Sequence, residues 1–202
     1  MPGKFIITLA GPESIDGAIK GKFVKGHQGA RIAFVGRSNA GKSSLINRLM
    51  GSKVAFTSKT PGKTRAMHFY DWEGSGKILV DLPGYGFAKV SMEERERWAE
   101  FLSNYLDKDE FLERALILLD ARHGPSEQDL DALKFMQSEN VPVVIVFAKA
   151  DLLKTQSERA KRKKEASQSV LNMGYDPTQV HWVSSTTGDG IKELVKVLKE
   201  GV

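Results

Sequence analysis

The stretch RIAFVGRSNAGKSSLINRLM, residues 31–50, decides how this chain is read. Its opening RIAFVG is a short apolar run ending in Gly36, the pattern of a buried strand. Its closing SLINRLM carries Leu45, Ile46, Leu49 and Met50 at helical spacing. Between them, Gly36-Arg37-Ser38-Asn39-Ala40-Gly41-Lys42-Ser43 fits G-x-x-x-x-G-K-[ST] at every position. Glycines there let the backbone curl around an anion without side-chain collision. The N–H groups of the loop and of the helix start then point at a phosphate. Gly36, Arg37, Ser38, Asn39, Ala40, Gly41, Lys42, Ser43 and Ser44 are therefore the phosphate-binding candidates. Lys42 would reach the β- and γ-phosphates of a nucleoside triphosphate, and the Ser43 hydroxyl would ligate Mg²⁺. An ordinary Gly-rich strand-to-helix turn is the competing reading, and the correct flanks argue against it.

Outward from this loop, apolar runs alternate with amphipathic stretches. Strands are expected at Arg31–Gly36, Met67–Trp72, Lys77–Asp81, Ala115–Asp120, Val143–Ala148 and His181–Ser184, with an edge strand at Lys4–Leu9. Most are continuous rather than alternating, as when helices cover both faces of a sheet. Two helical stripes stand out: Trp98, Phe101, Leu102, Tyr105 and Leu106, and Ile191, Leu194, Val195 and Leu198. The order predicts an α/β fold, a parallel sheet wound on both sides, with ligands beyond the carboxyl ends of its strands. Residues 51–65 show no period, are broken by Pro61–Gly62, and read as a long functional loop.

The 202-residue length suits one domain, with 1–22 as an N-terminal segment and 23–202 as the domain proper. No apolar run approaches the roughly 20 residues that span a bilayer, and no signal peptide is evident. The chain has no cysteine, which excludes disulfides and thiolate metal sites. A cytoplasmic, monomeric protein without membrane attachment is expected. The net charge of +5 points only weakly toward a polyanionic partner.

Three further motifs follow in order. Asp81-Leu82-Pro83-Gly84 ends an apolar strand. A carboxylate there can hold Mg²⁺ through water, and Gly84 can offer its N–H to a γ-phosphate. Lys149-Ala150-Asp151 follows another strand. A carboxylate at Asp151 can accept hydrogen bonds from guanine N1–H and N2–H₂, whereas adenine would oppose it with a lone pair. The usual form of this motif is [NT]-K-x-D, and Ala148 stands in its first position. The missing polar side chain would ordinarily tie this loop to the phosphate loop. Ser184-Ser185-Thr186 precedes the last helix, where a backbone N–H, that of Ser185, would meet guanine O6. In the long loop, Thr57, Thr60 and Thr64 all remain candidates to close over Mg²⁺ as a switch.

These motifs, together with GRSNAGKSSLIN, TSKTPGKTR, DLPGYGFAKV and LLDARHGPSEQD, resemble the EngB family (YihA or YsxC), within the TrmE–Era group of P-loop GTPases. The resemblance runs from about Phe23 to the C-terminus. It implies a three-layer Ras-like fold with a six-stranded, mostly parallel sheet. It implies binding of GTP and GDP with Mg²⁺, and slow GTP hydrolysis. It further implies a part in assembly of the large ribosomal subunit, with that subunit or its precursor (rRNA and ribosomal proteins) as partner. By the same match, Thr64 takes the switch-one Mg²⁺ role and Gly62 contacts the nucleotide. The segment from Gly84 to about Val90 becomes the second switch. Ras and Gα place a water-orienting glutamine after D-x-x-G, where this chain has Tyr85. Catalytic candidates are then Lys42, Thr64 and Gly84, and metal candidates are Ser43, Thr64 and Asp81. Asn39 matches an asparagine that ligates K⁺ in relatives, so K⁺ joins the candidate cofactors. A loop asparagine bonding its own backbone is the alternative.

Three readings of function follow: a ribosome-assembly GTPase, a GTPase of another RNA process such as tRNA modification, and a nucleotide-dependent binding module with negligible turnover. The basic run Lys161–Lys164 fits RNA contact or a solvated helix face.

Overall fold

The computed structural model describes residues 3–10, 29–55, 66–85 and 92–200. Its strands are β1 (Lys4–Ala10), β2 (Ala30–Gly36), β3 (Ala66–Trp72), β4 (Lys77–Asp81), β5 (Leu112–Asp120), β6 (Val143–Ala148) and β7 (Val180–Trp182). Its helices are α1 (Lys42–Met50), α2 (Met92–Lys108), α3 (Glu127–Ser138), α4 (Gln156–Asn172) and α5 (Ile191–Lys199). The strands form one sheet in the order β1-β3-β4-β2-β5-β6-β7.

Seven strands stand where the resemblance implies six, because β1 adds to the sheet edge antiparallel to β3. Chain polarity follows from the connections. β3 and β4 are joined by a four-residue turn with Gly74 and Gly76 at φ 74° and 69°, so they pair antiparallel. The other neighbours, β4–β2, β2–β5, β5–β6 and β6–β7, are parallel.

Central strand β2 shows why the runs are continuous. Ile32, Ala33, Phe34 and Val35 are all fully buried, yet they serve two cores. Ala33 and Val35 pack with Phe101, Leu102 and Tyr105 of α2 and with Leu133 of α3. Ile32 and Phe34 pack with Leu45 and Leu49 of α1 and Leu194 and Leu198 of α5. Successive side chains point to opposite faces, so both faces demand apolar residues.

β5 begins at Leu112 rather than Ala115. Its first turns of sequence are charged, but Glu113 is bridged by Lys77 and Arg114, and Arg114 also donates to the carbonyls of Val197 at 3.1 Å and Glu200 at 2.9 Å. At the other end, β7 stops at Trp182, and Ser184 lies in a turn. Beneath β2, buried Arg31 pairs with buried Asp109 after α2. The sheet thereby delivers Gly36, Asp81, Asp120, Ala148 and Trp182 to one edge.

Candidate functional site

The phosphate loop is built by constraints that its own residues cannot relax. A Cβ at Gly36 would lie 2.9 Å from the Leu118 carbonyl oxygen and 3.4 Å from the Ala40 Cβ. Asn39 and Gly41 take left-handed conformations, φ 65° and 110°, which curl the chain into the helix. Gly41 is the N-cap of α1 and supplies no side chain to the first turn. That turn contains no acidic residue either, so its N–H groups and the positive end of the helix are left for an anion. The loop is braced from below: the Ser38 N–H donates to the Tyr85 carbonyl at 3.0 Å.

Lys42, Ser43, Asp81 and Gly84 meet here, as their order in the chain predicts. Lys42 Nζ donates to the Gly36 carbonyl at 3.2 Å, and Ser43 Oγ donates to Asp81 Oδ2 at 3.2 Å. Burial pulls the Lys42 pKa down against the pull of Asp81, and pushes the Asp81 carboxyl up against Lys42, His68 and Ser43. A charge of each sign has thus been desolvated at one spot. Asp81 Oδ1 is buried and has no hydrogen-bond partner among the described residues. An orphaned carboxylate oxygen beside a serine hydroxyl is a donor set for a hard divalent cation, and the residues fit Mg²⁺. Among the described residues no group of three or more His, Cys, Asp or Glu could hold a metal. A Cβ on Gly84 would lie 3.1 Å from Lys42 Nζ and from the Ser38 nitrogen.

Lys149, Asp151 and Ser184 approach from the neighbouring strands. Lys149 has φ 62° and is followed by a 3₁₀ turn, Ala150–Leu152, that carries Asp151. The turn is tied to the chain just after β7 by the Ala150 N–H, which donates to the Val183 carbonyl at 3.0 Å. Lys149 Nζ donates to the Asn39 carbonyl at 2.5 Å and to Asp120 Oδ2 at 3.0 Å. Its Cε lies 3.8 Å from where a Gly41 Cβ would stand. The loop at Lys149–Asp151 is therefore fastened to the Gly36–Ser43 loop despite Ala148, through the adjacent lysine. Buried Ser184 accepts from Thr186 N–H at 3.2 Å and Thr187 N–H at 3.0 Å. Its hydroxyl shapes the turn that carries Ser185 and Thr186.

Two residues escape sequence reasoning. Asp120, at the end of β5, accepts from Arg122 through Nε at 2.9 Å, Nη2 at 2.7 Å and its backbone N–H at 3.0 Å. Burial opposes its ionisation, but hydrogen bonds from Arg122 and Lys149 outweigh burial and hold its carboxyl well below the usual range. Asp129 forms a capping box with Ser126 at the start of α3 and also accepts the Tyr85 hydroxyl at 2.8 Å. Burial and Asp129 push the Tyr85 hydroxyl pKa up, so it stays a neutral donor. Tyr85 is thus turned into the core and does not stand where a water-orienting side chain would. Thr57, Thr60, Gly62, Thr64 and the segment 86–90 lie outside the described residues.

Residues 31–149 match the family described as 50S ribosome-binding GTPase, and residues 98–202 match the elongation factor Tu GTP binding domain. The chain is 44% identical over 167 residues to a probable GTP-binding protein EngB of Thermotoga petrophila, covering 83% of this chain and 84% of the relative. It is 39% identical over 173 residues to the corresponding protein of Desulforamulus reducens, covering 84% and 82%. A crystal structure of a probable GTP-binding protein engB superposes with a TM-score of 0.62 at 26% identity, over 84% of this chain and 96% of that one.

Proposed function

The chain belongs to the EngB family of GTP-binding proteins, and from that premise we propose that it is a GTP-driven switch in assembly of the large ribosomal subunit. Its catalytic activity is GTP hydrolysis, as its family membership shows. The observation that carries the chemistry is the cluster of Lys42, Ser43 and the orphaned Asp81 oxygen at the uncapped start of α1. Loop and helix N–H groups hold the phosphates, and Lys42 bridges the β- and γ-oxygens. Ser43 and Asp81 would hold Mg²⁺, which when bound offsets charge on the transferring phosphoryl group. Gly84 lets its backbone approach the γ-phosphate beside Lys42. Asp151 accepts the N1–H and N2–H₂ pair of guanine, and the Ser185 N–H meets O6.

Intrinsic turnover is slow in this reading, because Tyr85 is committed to Asp129 and orients no water. A monovalent cation beside Asn39, exposed in the phosphate loop, would supply the missing charge. Faster hydrolysis in K⁺ than in Na⁺ tests that step. Support for the partner comes from the matched family, whose description names ribosome binding. No helix among the described residues is long and apolar enough to cross a membrane.

On α4, Lys161 and Arg162 pair with Glu165, while Lys163 and Lys164 are exposed with no carboxylate partner among the described residues. They offer charge to RNA phosphate. Cosedimentation with large subunits tests the proposal in three states: a GTP analogue, GDP and no nucleotide. Binding strongest with the analogue, and falling steeply with salt, is expected. Equal binding in all three states would sink the switch.

A further inference from the structure

We propose that Asp120 is a positioning residue for nucleotide binding, a carboxylate that locks Lys149 against the phosphate loop and replaces the tie that Ala148 lacks. This deepens the assignment of Lys149–Asp151 as the guanine-reading segment and rests on it.

Lys149 holds a left-handed backbone at φ 62°, a conformation unfavourable to any residue with a Cβ, so the surroundings must impose it. Its ammonium group is gripped from two sides, by the Asn39 carbonyl at 2.5 Å and by Asp120 Oδ2 at 3.0 Å. These contacts make one bridge from the end of β5, through Lys149, to the phosphate loop. The register explains why Asp120 can reach. Asp120 stands opposite Ala148 in the β5–β6 ladder, next to the residue that precedes the lysine.

Ala148 itself is 2% exposed and packs in the same apolar cluster as Ala40 of the phosphate loop. A methyl group offers no hydrogen bond, and the polar link between the loops falls to Lys149. Arg122 completes the arrangement. Its fork and its backbone N–H fix the Asp120 carboxylate, with Oδ2 shared between Arg122 and Lys149. A carboxylate held in this way remains charged at neutral pH and keeps its grip on the lysine.

The test is a double-mutant cycle on GDP affinity with the full chain: wild type, Asp120→Ala, Lys149→Ala and the double variant. Melting of each without nucleotide reports folding. Asp120→Ala should weaken GDP about tenfold, the scale of one charge-assisted hydrogen bond. Lys149→Ala should weaken it at least as much, and the double variant should be no weaker than Lys149→Ala alone. Losses that simply multiply would show that Asp120 does not act through Lys149 and would overturn the proposal. Unchanged affinity in Asp120→Ala would also overturn it. Should Asp120→Ala fail to fold, Asp120→Asn carries the same cycle with a smaller loss. Asp151→Asn, assayed with guanosine and xanthosine diphosphates, reports on the base-reading assignment by itself. No shift toward xanthine would sink that assignment, whereas the Asp120–Lys149 cycle reads the bridge independently.

Discussion

Gly84 shows how little room the site leaves for a single atom. A methyl group there would press within about 3 Å of the Lys42 ammonium and of the Ser38 nitrogen, whose N–H braces the phosphate loop against the Tyr85 carbonyl. The neighbours would have to give by tenths of an ångström, and Lys42 is the more mobile of the two. Displacing a catalytic group by such amounts costs rate more than stability. Gly84→Ala should therefore lower the GTP hydrolysis rate by about tenfold or more, while the melting temperature of the nucleotide-free protein moves little. Wild-type turnover in single-turnover assays would show that Lys42 does not need this approach. Lys42→Ala is the harsher change. It removes the only side-chain cation in the phosphate motif that reaches into the loop, and tight nucleotide binding should vanish in equilibrium titration.

Among the elements, a hydrogen bond couples α3 to Tyr85, directly after the second phosphate motif. Tyr85 follows Gly84 directly, and its hydroxyl meets Asp129 in the first turn of α3 at 2.8 Å. Asp129 is also the residue that closes the capping box with Ser126. Tyr85→Phe leaves a buried carboxylate oxygen short of that donor and should destabilise the protein by about 1–2 kcal/mol in urea unfolding. Hydrolysis should change by less than about threefold, because the hydroxyl does not face the phosphates. A large fall in turnover with unchanged stability would reverse that reading. This bond also marks where the sequence stops being legible. The phosphate loop, β2, β4 and β6 could be read because their signals are local: adjacent glycines, a lysine and a hydroxyl, and unbroken apolar runs. β1 was readable only as an edge strand, since nothing local says that it pairs with β3. The start of β5 was hidden because Glu113 and Arg114 look like loop residues until Lys77 and the end of α5 are brought against them. Tyr85 and Asp129, 44 positions apart, and Lys149 and Asp120, 29 apart, meet only through the sheet order. The departure at Ala148 was visible in sequence, but its compensation was not, because the compensating carboxylate belongs to a different strand.

At the level of the whole molecule, the site has no element of its own. Gly36, Asp81, Asp120, Ala148 and the turn at Ser184 sit on or just beyond the ends of five parallel-running strands, held side by side by the sheet. In the proposed reading the phosphates engage the β2 and β4 ends and the base engages the β6 and β7 ends, so a bound nucleotide would link strands that β5 separates in the sheet. A ligand that binds only the assembled ends stabilises the fold by mass action, about 2.7 kcal/mol at a hundred times its dissociation constant. For a chain of this size that corresponds to a rise of roughly 5–10 °C in melting temperature. GDP with Mg²⁺ should produce it, and ADP with Mg²⁺ at the same concentration should not, because both share the diphosphate and Mg²⁺ while only guanine satisfies Asp151. The asymmetry between the two nucleotides is what carries information. Equal shifts would mean that the phosphate loop alone accounts for binding, and that the β6 and β7 ends take no part in recognition.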